Sequence, residues 1–365
     1  MALSKVNPNL ITNGGSRKNI VINGAMQLAQ RNTSTTSHSG YGSDRFEANA
    51  ANLDQLAVTL TQNSVTDLPQ FTKSLKFTTT TAENAIESNE YFRIMQKIES
   101  QSCQQLAYGT SSAKSVTLSF WIKSSVTGTY ALSLFADASA GTRIIGSTYT
   151  ISSANTWEKK TLTFAGDTAR VMDNNNSEGL RLMWFIGADS ALTSSNNTSW
   201  GAYSASKLAY GQGTNAVLTT SGATWEVTGV QLEVGSVATD FEHRSYGEEL
   251  ALCQRYCHVF QNGSTEAHLG VGAQYNVTAV NIALHLPNSL RVSPTVERIL
   301  DGSSNWLQVY VGGASQSSNS VPQINDFSGN TIRLYCPSSI TNRTAGEASW
   351  CHVKPNAKLI LSAEL

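Results

Sequence analysis

Few residues of this sequence stand at spacings that suit chemistry, and the clearest group is Cys253, Cys257 and His258. Two thiols one helical turn apart, followed by an imidazole, form a pattern that zinc sites use. Further ligands of the same types come later in the chain: Cys336, Cys351 and His352. Cys253 and Cys257 also lie on one apolar face of a predicted helix, which favours buried thiols over a metal site. The 5 cysteines are odd in number and irregularly spaced, so we predict reduced thiols, no disulfide framework and no bound metal.

A second group of possible ligands runs from Asp173 to Glu178, where side-chain oxygens recur at positions that suit calcium. The segment lacks the glycine at the sixth position of an EF-hand loop. We therefore predict a hairpin turn that its own side chains stabilise, and no cofactor.

The third group consists of Trp200, Tyr203 and Tyr210, which lie among Asn and Ser residues in a long loop from 188 to 224. Aromatic faces stack on the apolar side of a sugar ring, while amides and hydroxyls orient its hydroxyl groups. A loop of this length usually has a function. The same rings would also serve to anchor the loop on its domain, and both interpretations stay open. Trp121 and Trp184 fall within strand patterns and are predicted in the core or at an interface.

Catalytic residues are not apparent in the sequence. A glycoside hydrolase needs two carboxylates across a cleft, and the acidic residues here are sparse, many of them in turns or at a helix start. Sequence spacing does not exclude such a pair, because distant strands can supply it. The sequence contains no serine nucleophile elbow, phosphate-binding glycine loop or zinc-protease motif. We predict a protein that is not an enzyme.

The composition also limits the partners. Lys and Arg number 25 against 26 Asp and Glu, and this balance provides no basic face for nucleic acid. The sequence has no apolar run long enough to span a membrane and no signal-peptide pattern at its start. We therefore expect neither nucleic acid binding nor membrane insertion, and a protein made in a cytosol-like compartment.

Alternating apolar residues predict strands through most of the chain. Val116, Leu118, Phe120 and Ile122 share one face of the clearest strand. Similar runs follow at 130–135, 143–149, 157–164, 180–186 and 225–234, at spacings typical of an antiparallel sandwich. The fold class predicted is all-β, with a jelly-roll-like antiparallel β-sandwich. Strand patterns at 277–286, 306–311, 331–336 and 358–361 predict a second, smaller C-terminal β-domain.

Two glycines give more local predictions. The apolar phase of the 225–234 strand changes at Gly229, which predicts a β-bulge there. Asn23-Gly24 lies between two apolar runs and predicts a hairpin or a sharp corner in a strand.

A short helix is predicted between the two β-domains, over residues 245–257. Ser245 and Glu248 have the spacing of a capping box, and Leu250, Cys253 and Tyr256 form an apolar stripe. These five residues are predicted to form a structural joint. The domain limits predicted are 1–18 for an N-terminal arm, 19–244 for the sandwich, 245–257 for the helix and 258–365 for the C-terminal domain.

The segment VTGVQLEVGSVATDFEHRSYGEELALCQRY resembles tail fibre and appendage proteins of tailed bacteriophages, marine and cyanobacterial ones in particular. Gln30-Arg31 followed by Tyr41-Gly42-Ser43-Asp44-Arg45-Phe46 is similar to the start of the same family's sandwich. Ser362-Ala363-Glu364-Leu365 is similar to its end. The resemblance is dense over 19–46 and 225–260.

The resemblance implies a virion structural protein, commonly a homotrimer, with a sandwich like that of a carbohydrate-binding module. Its expected partners are tail or capsid proteins and a host cell-surface glycan, and its expected location is the virion, assembled in the host cytoplasm. The matched motifs suit an architectural role, and Gln231 and Glu233 are expected to form a polar face or an internal hydrogen bond rather than a glycan contact. Three functions stay open: host glycan binding, a purely structural role as capsid decoration or tail adaptor, and polysaccharide degradation. The arm at 1–18 is the predicted virion anchor.

Overall fold

The structure is a computed structural model that describes residues 17–261, 263–337 and 341–365. Most regular segments in it are strands, which confirms the all-β prediction. The strands are β1 (Ser34–Thr35), β2 (Ser39–Ser43), β3 (Phe46–Ala51), β4 (Ala57–Ser64), β5 (Lys73–Thr81), β6 (Tyr91–Glu99), β7 (Val116–Ser124), β8 (Gly128–Ala136), β9 (Arg143–Ile151), β10 (Glu158–Phe164), β11 (Glu178–Ala188), β12 (Gly201–Ala202), β13 (Thr224–Val234), β14 (Cys257–Phe260), β15 (Ala267–Gln274), β16 (Val280–His285), β17 (Thr295–Ile299), β18 (Leu307–Val311), β19 (Ala314–Ser318), β20 (Gln323–Ser328), β21 (Thr331–Cys336), β22 (Ala348–Val353) and β23 (Lys358–Ser362). The α-helices are α1 (Ser190–Thr193) and α2 (Tyr246–Gln254), and the 3₁₀-helices are η1 (Ser100–Leu106) and η2 (Ala205–Lys207).

The chain forms two compact units. The first contains the described residues up to Ala25, together with Ala50–Val58 and Ser64–Arg244; the second contains Met26–Asn49, Thr59–Asn63 and Ser245–Leu365. Along the sequence, Arg244 ends a segment of the first unit and Ser245 begins a segment of the second, and Met26–Asn49 also belongs to the second unit. The predicted domain limits stay a prediction. Most of the predicted arm, 1–18, lies outside the described residues.

The first unit is an antiparallel β-sandwich. One of its sheets contains the strand order β5-β13-β7-β10 and the other contains β12-β9-β8-β11-β6. The chain changes sheet at most steps between β5 and β13, which is the jelly-roll-like arrangement predicted.

Large aromatic side chains fill the space between these two sheets. Phe120 on β7 meets Trp184 on β11 edge to face, with 5.8 Å between ring centroids. Trp225 on β13 donates its indole N–H to the Tyr149 hydroxyl at 3.1 Å. Trp184 and Phe120 are fully buried, which confirms the predicted core position of Trp184.

The bulge predicted at Gly229 is confirmed. Thr228 lies opposite Trp121 but Gln231 lies opposite Ser119, so β13 carries one extra residue at this point. Gly229 has φ +61°, and a Cβ there would lie 2.6 Å from the Phe71 ring. A residue with a side chain would therefore be both strained and crowded.

The hairpin predicted at Asn23-Gly24 is wrong in part. The turn exists, since Asn23 adopts φ 59°, but no strand occurs in residues 17–33. The segment instead bonds to β13: Ile20 N–H donates to the Leu232 carbonyl at 2.9 Å, and the Gly24 carbonyl accepts from Val230 N–H at 2.9 Å. Because the segment's backbone groups are satisfied by β13, it needs no hairpin partner of its own.

The second unit contains a three-stranded sheet, β14-β23-β17, and a seven-stranded sheet, β19-β18-β22-β15-β16-β21-β20. Its core includes Trp306, Leu334 and Leu359. The strand predicted over 277–286 begins only at Val280, because the Asn276 side chain accepts bonds from Thr278 and Ala279 N–H groups and holds a turn.

The predicted helix is shorter than expected. It spans Tyr246–Gln254, and the Ser245 hydroxyl accepts a bond from Glu248 N–H at 3.3 Å, which confirms the cap. Tyr256 lies in a turn after the helix and Cys257 begins β14, so the predicted end at 257 is wrong. Backbone pairing of residues 257–260 with β23 ends the helix at this point. Cys253 and Tyr256 are buried and Leu250 is half-buried, and the role of these residues as a joint stays a prediction. Within the described residues, no helix has the length and apolarity needed to cross a membrane.

Candidate functional site

The loop that carries Trp200 closes one side of a cavity in the first unit. The short strand β12 pairs with β9, with Gly201 opposite Ile144 and Ala202 opposite Arg143, and so holds the loop against the sheet. The cavity has a volume of about 480 Å³, and its lining includes Arg143, Asp167 and Trp200. We call it the Trp200 cavity.

The Trp200 side chain is fixed in place by the protein itself. Its indole N–H donates to the Ala165 carbonyl at 2.6 Å, and its ring meets Tyr108 edge to face at 5.8 Å. The side chain is half-buried. Trp200 thus anchors the loop, as one of the two interpretations drawn from the sequence expects. It also forms an aromatic wall of the cavity, and its contact with a glycan stays a prediction.

An ion pair between the half-buried Arg143 and the buried Asp167 supplies the polar side of the cavity. Arg143 Nε lies 2.8 Å from Asp167 Oδ2, and Asp167 is 1% exposed. Arg143 also donates to the Trp200 carbonyl at 3.1 Å. Among the described lining residues Asp167 is the one carboxylate, whereas glycoside hydrolysis uses two. Neither residue stands out in the sequence, because the two are 24 positions apart and only the fold brings them together.

Tyr203 and Tyr210 do not line this cavity in the described part of the chain. Tyr203 is 41% exposed, and its ring meets Phe135 edge to face at 5.2 Å. Tyr210 is half-buried and follows Leu208 and Ala209, which are packed in an apolar cluster. The three predicted glycan-binding aromatics therefore do not share one cavity, and a glycan contact of Tyr203 or Tyr210 stays a prediction.

The segments that carry the family resemblance come together at two places, one in each unit. In the first unit the centre is Asn19, which is 4% exposed. Its side-chain amide donates to the Val230 carbonyl at 3.0 Å, and its side-chain oxygen accepts from Leu232 and Val21 N–H groups at 3.0 Å each. Arg244 adds a bond to the Val21 carbonyl at 3.1 Å. We call this set the Asn19 closure.

Gln231 and Glu233 support the same region from β13. Gln231 Oε1 accepts from Glu242 N–H at 2.8 Å, and the Glu233 carboxylate accepts from Thr239 N–H and Oγ1 at 2.8 and 2.7 Å. Gln231 is 0% and Glu233 is 4% exposed. Their carbonyl and carboxylate groups are thus used inside the protein, as the internal hydrogen-bond interpretation expects.

In the second unit the centre is Glu364. Its carboxylate accepts from Arg31 Nη1 at 3.1 Å and from Arg45 Nη1, and all three side chains are less than a tenth exposed. The Arg45 guanidinium lies 3.5 Å from the centre of the Tyr256 ring, and the Arg31 guanidinium lies 4.3 Å from the centre of the Tyr41 ring. We call these five residues the Glu364 closure.

Gln30 and Asp44 extend this closure to β14. Asp44 accepts from Gln30 N–H at 2.9 Å and from its side-chain amide at 2.7 Å, and that amide also donates to the Cys257 carbonyl at 3.1 Å. Burial raises the pKa of Asp44 above its ordinary value. Every motif residue named here makes contacts within its own unit, which is what an architectural role predicts.

The cysteines and the acidic turn are the two places where the sequence offered possible metal ligands. All five thiols are buried and free, and burial raises the pKa of each, which makes them poor nucleophiles and ligands. No group of three metal-ligating side chains gathers among the residues that the structure describes. The turn at 173–178 is held by side chains, with Asn175 Oδ1 accepting from Ser177 N–H at 3.0 Å and Asp173 accepting from Ser139 at 2.8 Å.

A second cavity with aromatic lining lies in the first unit, beside Trp121. Trp121 is half-buried and lines a space of about 310 Å³ with Phe241, His243, Lys159 and Asp240. Trp121 points away from the core because it alternates with the buried Phe120 and Ile122. The sequence predicted a core or interface position for Trp121; the side chain is outside the sandwich core, and the interface position stays a prediction.

Comparison with known proteins gives weak matches only. No family model and no curated protein matches the chain. Among solved structures, the enzymatically active domain of tailspike protein 4 of bacteriophage CBA120 is 14% identical, over 59% of this chain and 21% of that one, with a TM-score of 0.32. A family 11 carbohydrate-binding module of a Clostridium thermocellum cellulase is 12% identical, over 58% of this chain and 98% of that one, with a TM-score of 0.28.

The tripod from the baseplate of bacteriophage Tuc2009 is also 12% identical, over 93% of this chain and 90% of that one, with a TM-score of 0.27. The chain spans about a fifth of the tailspike structure that it matches. TM-scores this low do not establish a common fold, so the fold class rests on the strands and their pairing.

Proposed function

We propose that this chain is a bacteriophage virion protein, a tail fibre or appendage, that binds host-surface glycans without catalysing a reaction. The observation that carries the proposal is the Trp200 cavity. The fixed indole of Trp200 lines it together with the ion pair of Arg143 and the buried Asp167. An aromatic wall with a few oriented polar groups is the arrangement that sugar-binding sites use.

The assignment to the virion rests on the sequence resemblance. Its supporting observation is that the resembling segments form the two closures, as expected for motifs that maintain an architecture. On this proposal the chain is a homotrimer in contact with tail or capsid proteins. Three copies of a weak sugar site raise the avidity for a host surface without any new contact.

A purely structural role, as capsid decoration or tail adaptor, is the main alternative. It predicts that the Trp200 cavity has no sugar ligand. Polysaccharide degradation is the less favoured alternative, and one observation bears on it. Glu47 and Glu297 line one cavity of about 380 Å³ in the second unit, together with Tyr41 and Arg31. Glu47 is half-buried and Glu297 is exposed, whereas a glycoside hydrolase holds its two carboxylates across the scissile bond in a cleft.

The test is a binding assay on a printed panel of bacterial surface oligosaccharides, with mass photometry on the same sample. We expect a trimer that binds members of the panel. At sugar densities far from saturation, we expect Trp200→Ala to lose at least about 90% of the bound signal, which corresponds to about 1.4 kcal/mol of binding free energy. Trp157→Ala is the matched control, because Trp157 is also half-buried and also fixed by its indole N–H, which donates to Asp67 at 2.9 Å.

Three results would count against the proposal. A trimer that binds no oligosaccharide favours the structural role, and equal losses in the two tryptophan variants mean that Trp200 has no specific part. Release of shorter sugars from a bound polysaccharide, lost in Glu47→Gln or Glu297→Gln, would establish the enzyme.

A further inference from the structure

One tryptophan in this protein is exposed. All seven tryptophans lie in described residues, and six are buried or half-buried, whereas Trp350 on β22 is 64% exposed. Its indole N–H has no acceptor among the described residues, in contrast to the bonded indoles of Trp200, Trp225 and Trp306. A single exposed apolar residue is ordinary, but a contiguous row of them marks a binding surface.

Trp350 lies in a row of outward side chains on the seven-stranded sheet of the second unit. Strand register places Tyr310 of β18 on one side of it and Val271 of β15 on the other. Tyr310 is 38% and Val271 is 58% exposed. The neighbours of Trp350 along β22, Ser349 and Cys351, are buried, so the row belongs to the outer face of the sheet.

The Tyr310 ring is held in place by a chain of polar groups. Its hydroxyl donates to the Glu266 carboxylate, with oxygen distances of 2.9 and 3.0 Å. Glu266 also lies 3.1 Å from His352 Nδ1, and His352 Nε2 lies 3.5 Å from His268 Nδ1. Because the Tyr310 ring also packs against His352 at 5.2 Å, it is oriented before any ligand binds.

A groove continues the row beyond Val271. Its volume is about 540 Å³, within the range of roughly 300–1,000 Å³ for small-molecule sites. Gly272, Ala273 and Ala283 line it, and their small size lets a ligand approach the sheet backbone. Polar groups are present too: Asn281, and the exposed ion pair in which Arg333 Nε lies 2.5 Å from Asp326 Oδ2.

We propose that this face is a second carbohydrate-binding site, in which Trp350 and Tyr310 stack on one sugar ring and the groove receives the next. The inference deepens the proposed function and rests on it, since it names a second site for the same class of ligand. Flat rings bind the apolar faces of pyranoses, and the free indole N–H, Asn281 and Arg333 provide donors for hydroxyl oxygens. A recessed groove with a charged pair suits an oligosaccharide better than a second copy of the sheet, which would bury that pair at a desolvation cost.

The experiment compares full-length variants on the same panel of bacterial surface oligosaccharides, followed by calorimetric titration of the strongest-binding sugar. We expect Trp350→Ala to weaken binding at least about tenfold and Tyr310→Ala to weaken it several-fold. Tyr246→Ala is the matched control, because Tyr246 is in the same unit and is also 64% exposed. Thermal unfolding of each variant shows whether the fold is retained, and the exposure of Trp350 predicts that it is.

The outcomes separate this inference from the proposed function. Loss of binding in Trp350→Ala but not in Trp200→Ala supports the second site and contradicts the first. Loss in Trp200→Ala alone contradicts the second site and leaves the proposed function intact, whereas losses in both variants support two sites. A chain that binds no sugar contradicts both ideas. A smaller mass for Trp350→Ala than for the unmodified chain in mass photometry would overturn the inference, since the face would then be an interface between copies.

Discussion

The Asn19 closure and the Glu364 closure each join distant parts of the sequence, but by different chemistry. The Asn19 side chain bonds to backbone groups of Val230, Leu232 and Val21. In the Glu364 closure the bonds join charged side chains, with two guanidinium groups on one carboxylate. The first closure therefore depends on one side-chain amide, which both donates and accepts. The second depends on the Glu364 carboxylate and on both guanidinium groups.

This difference determines how each closure fails. Loss of Asn19 leaves neutral buried backbone groups without partners, which costs about 1–3 kcal/mol. Loss of Glu364 leaves two guanidinium groups less than a tenth exposed and without their carboxylate, and an unpaired buried charge costs more than an unpaired neutral group. We therefore expect the loss of Glu364 to lower the free energy of unfolding more than the loss of Asn19 does.

The largest effect is expected from Glu364→Ala. We expect the free energy of unfolding to fall by about 3–5 kcal/mol, because Arg31 and Arg45 lose their shared partner. Urea denaturation of the full chain measures the change. Asp326→Ala is the control, since it breaks an ion pair whose side chains are 45% and 67% exposed and should hardly move the midpoint. Equal shifts in the two variants would show that the Glu364 closure behaves as an ordinary surface pair.

The next effect is expected from Asn19→Ala, at about 2 kcal/mol, because three buried backbone groups lose their hydrogen bonds. Asn276→Ala provides a close control. The Asn276 side chain also makes three bonds, all accepted by its oxygen at 2.8, 2.8 and 3.2 Å, but the residue is exposed and water replaces the lost contacts. The same urea titration compares the two, and a loss for Asn276→Ala as large as that for Asn19→Ala would remove burial as the explanation.

A smaller effect is expected when the backbone beside the Asn19 closure is disturbed. Gly229 directly precedes Val230 and has φ +61°, a conformation that is strained for alanine. Gly229→Ala also places a Cβ 2.6 Å from the Phe71 ring. We expect a loss of about 1–2 kcal/mol in the free energy of unfolding. Gly222→Ala separates the two causes, because Gly222 has φ +79° and no atom within 4 Å of its Cβ position. Identical losses would mean that contact with Phe71 contributes nothing.

The sequence predicts the strands well but the closures poorly, for a physical reason. Alternation is a local property, so β8 and β11 were predicted over 130–135 and 180–186 and span Gly128–Ala136 and Glu178–Ala188. The Asn19–Leu232 bond joins residues 213 positions apart, and the Arg45–Glu364 pair joins residues 319 positions apart. Such pairs follow from topology, and no local pattern specifies them.

The candidate sites were predicted in part for the same reason. Trp200 stood out by its type and by the long loop around it, whereas Arg143 and Asp167 belong to its cavity only through the fold. Trp350 was missed because β22 was not predicted. The inward residues of that strand are Ser349, Cys351 and Val353, and their mixed polarity weakens the alternation that would have indicated a strand.

The smallest effect expected is a pH dependence that belongs to the second unit. Burial lowers the pKa of His258 on β14 below its ordinary value of 6.5. The unfolded chain then binds a proton near pH 6.5 that the folded chain does not, so stability is full above that pH and falls as the pH decreases below it. The slope is at most about 1.4 kcal/mol per pH unit for one proton. Urea midpoints between pH 7.5 and about 5 measure the slope. We expect His258→Gln to flatten the dependence of the midpoint on pH. His285→Gln, at an exposed position, is the control for loss of an imidazole. If His258→Gln kept the slope of the unmodified chain, the pH dependence would have to come from other groups of the unit. Asp44 would not be among them, because its raised pKa gives a slope of the opposite sign.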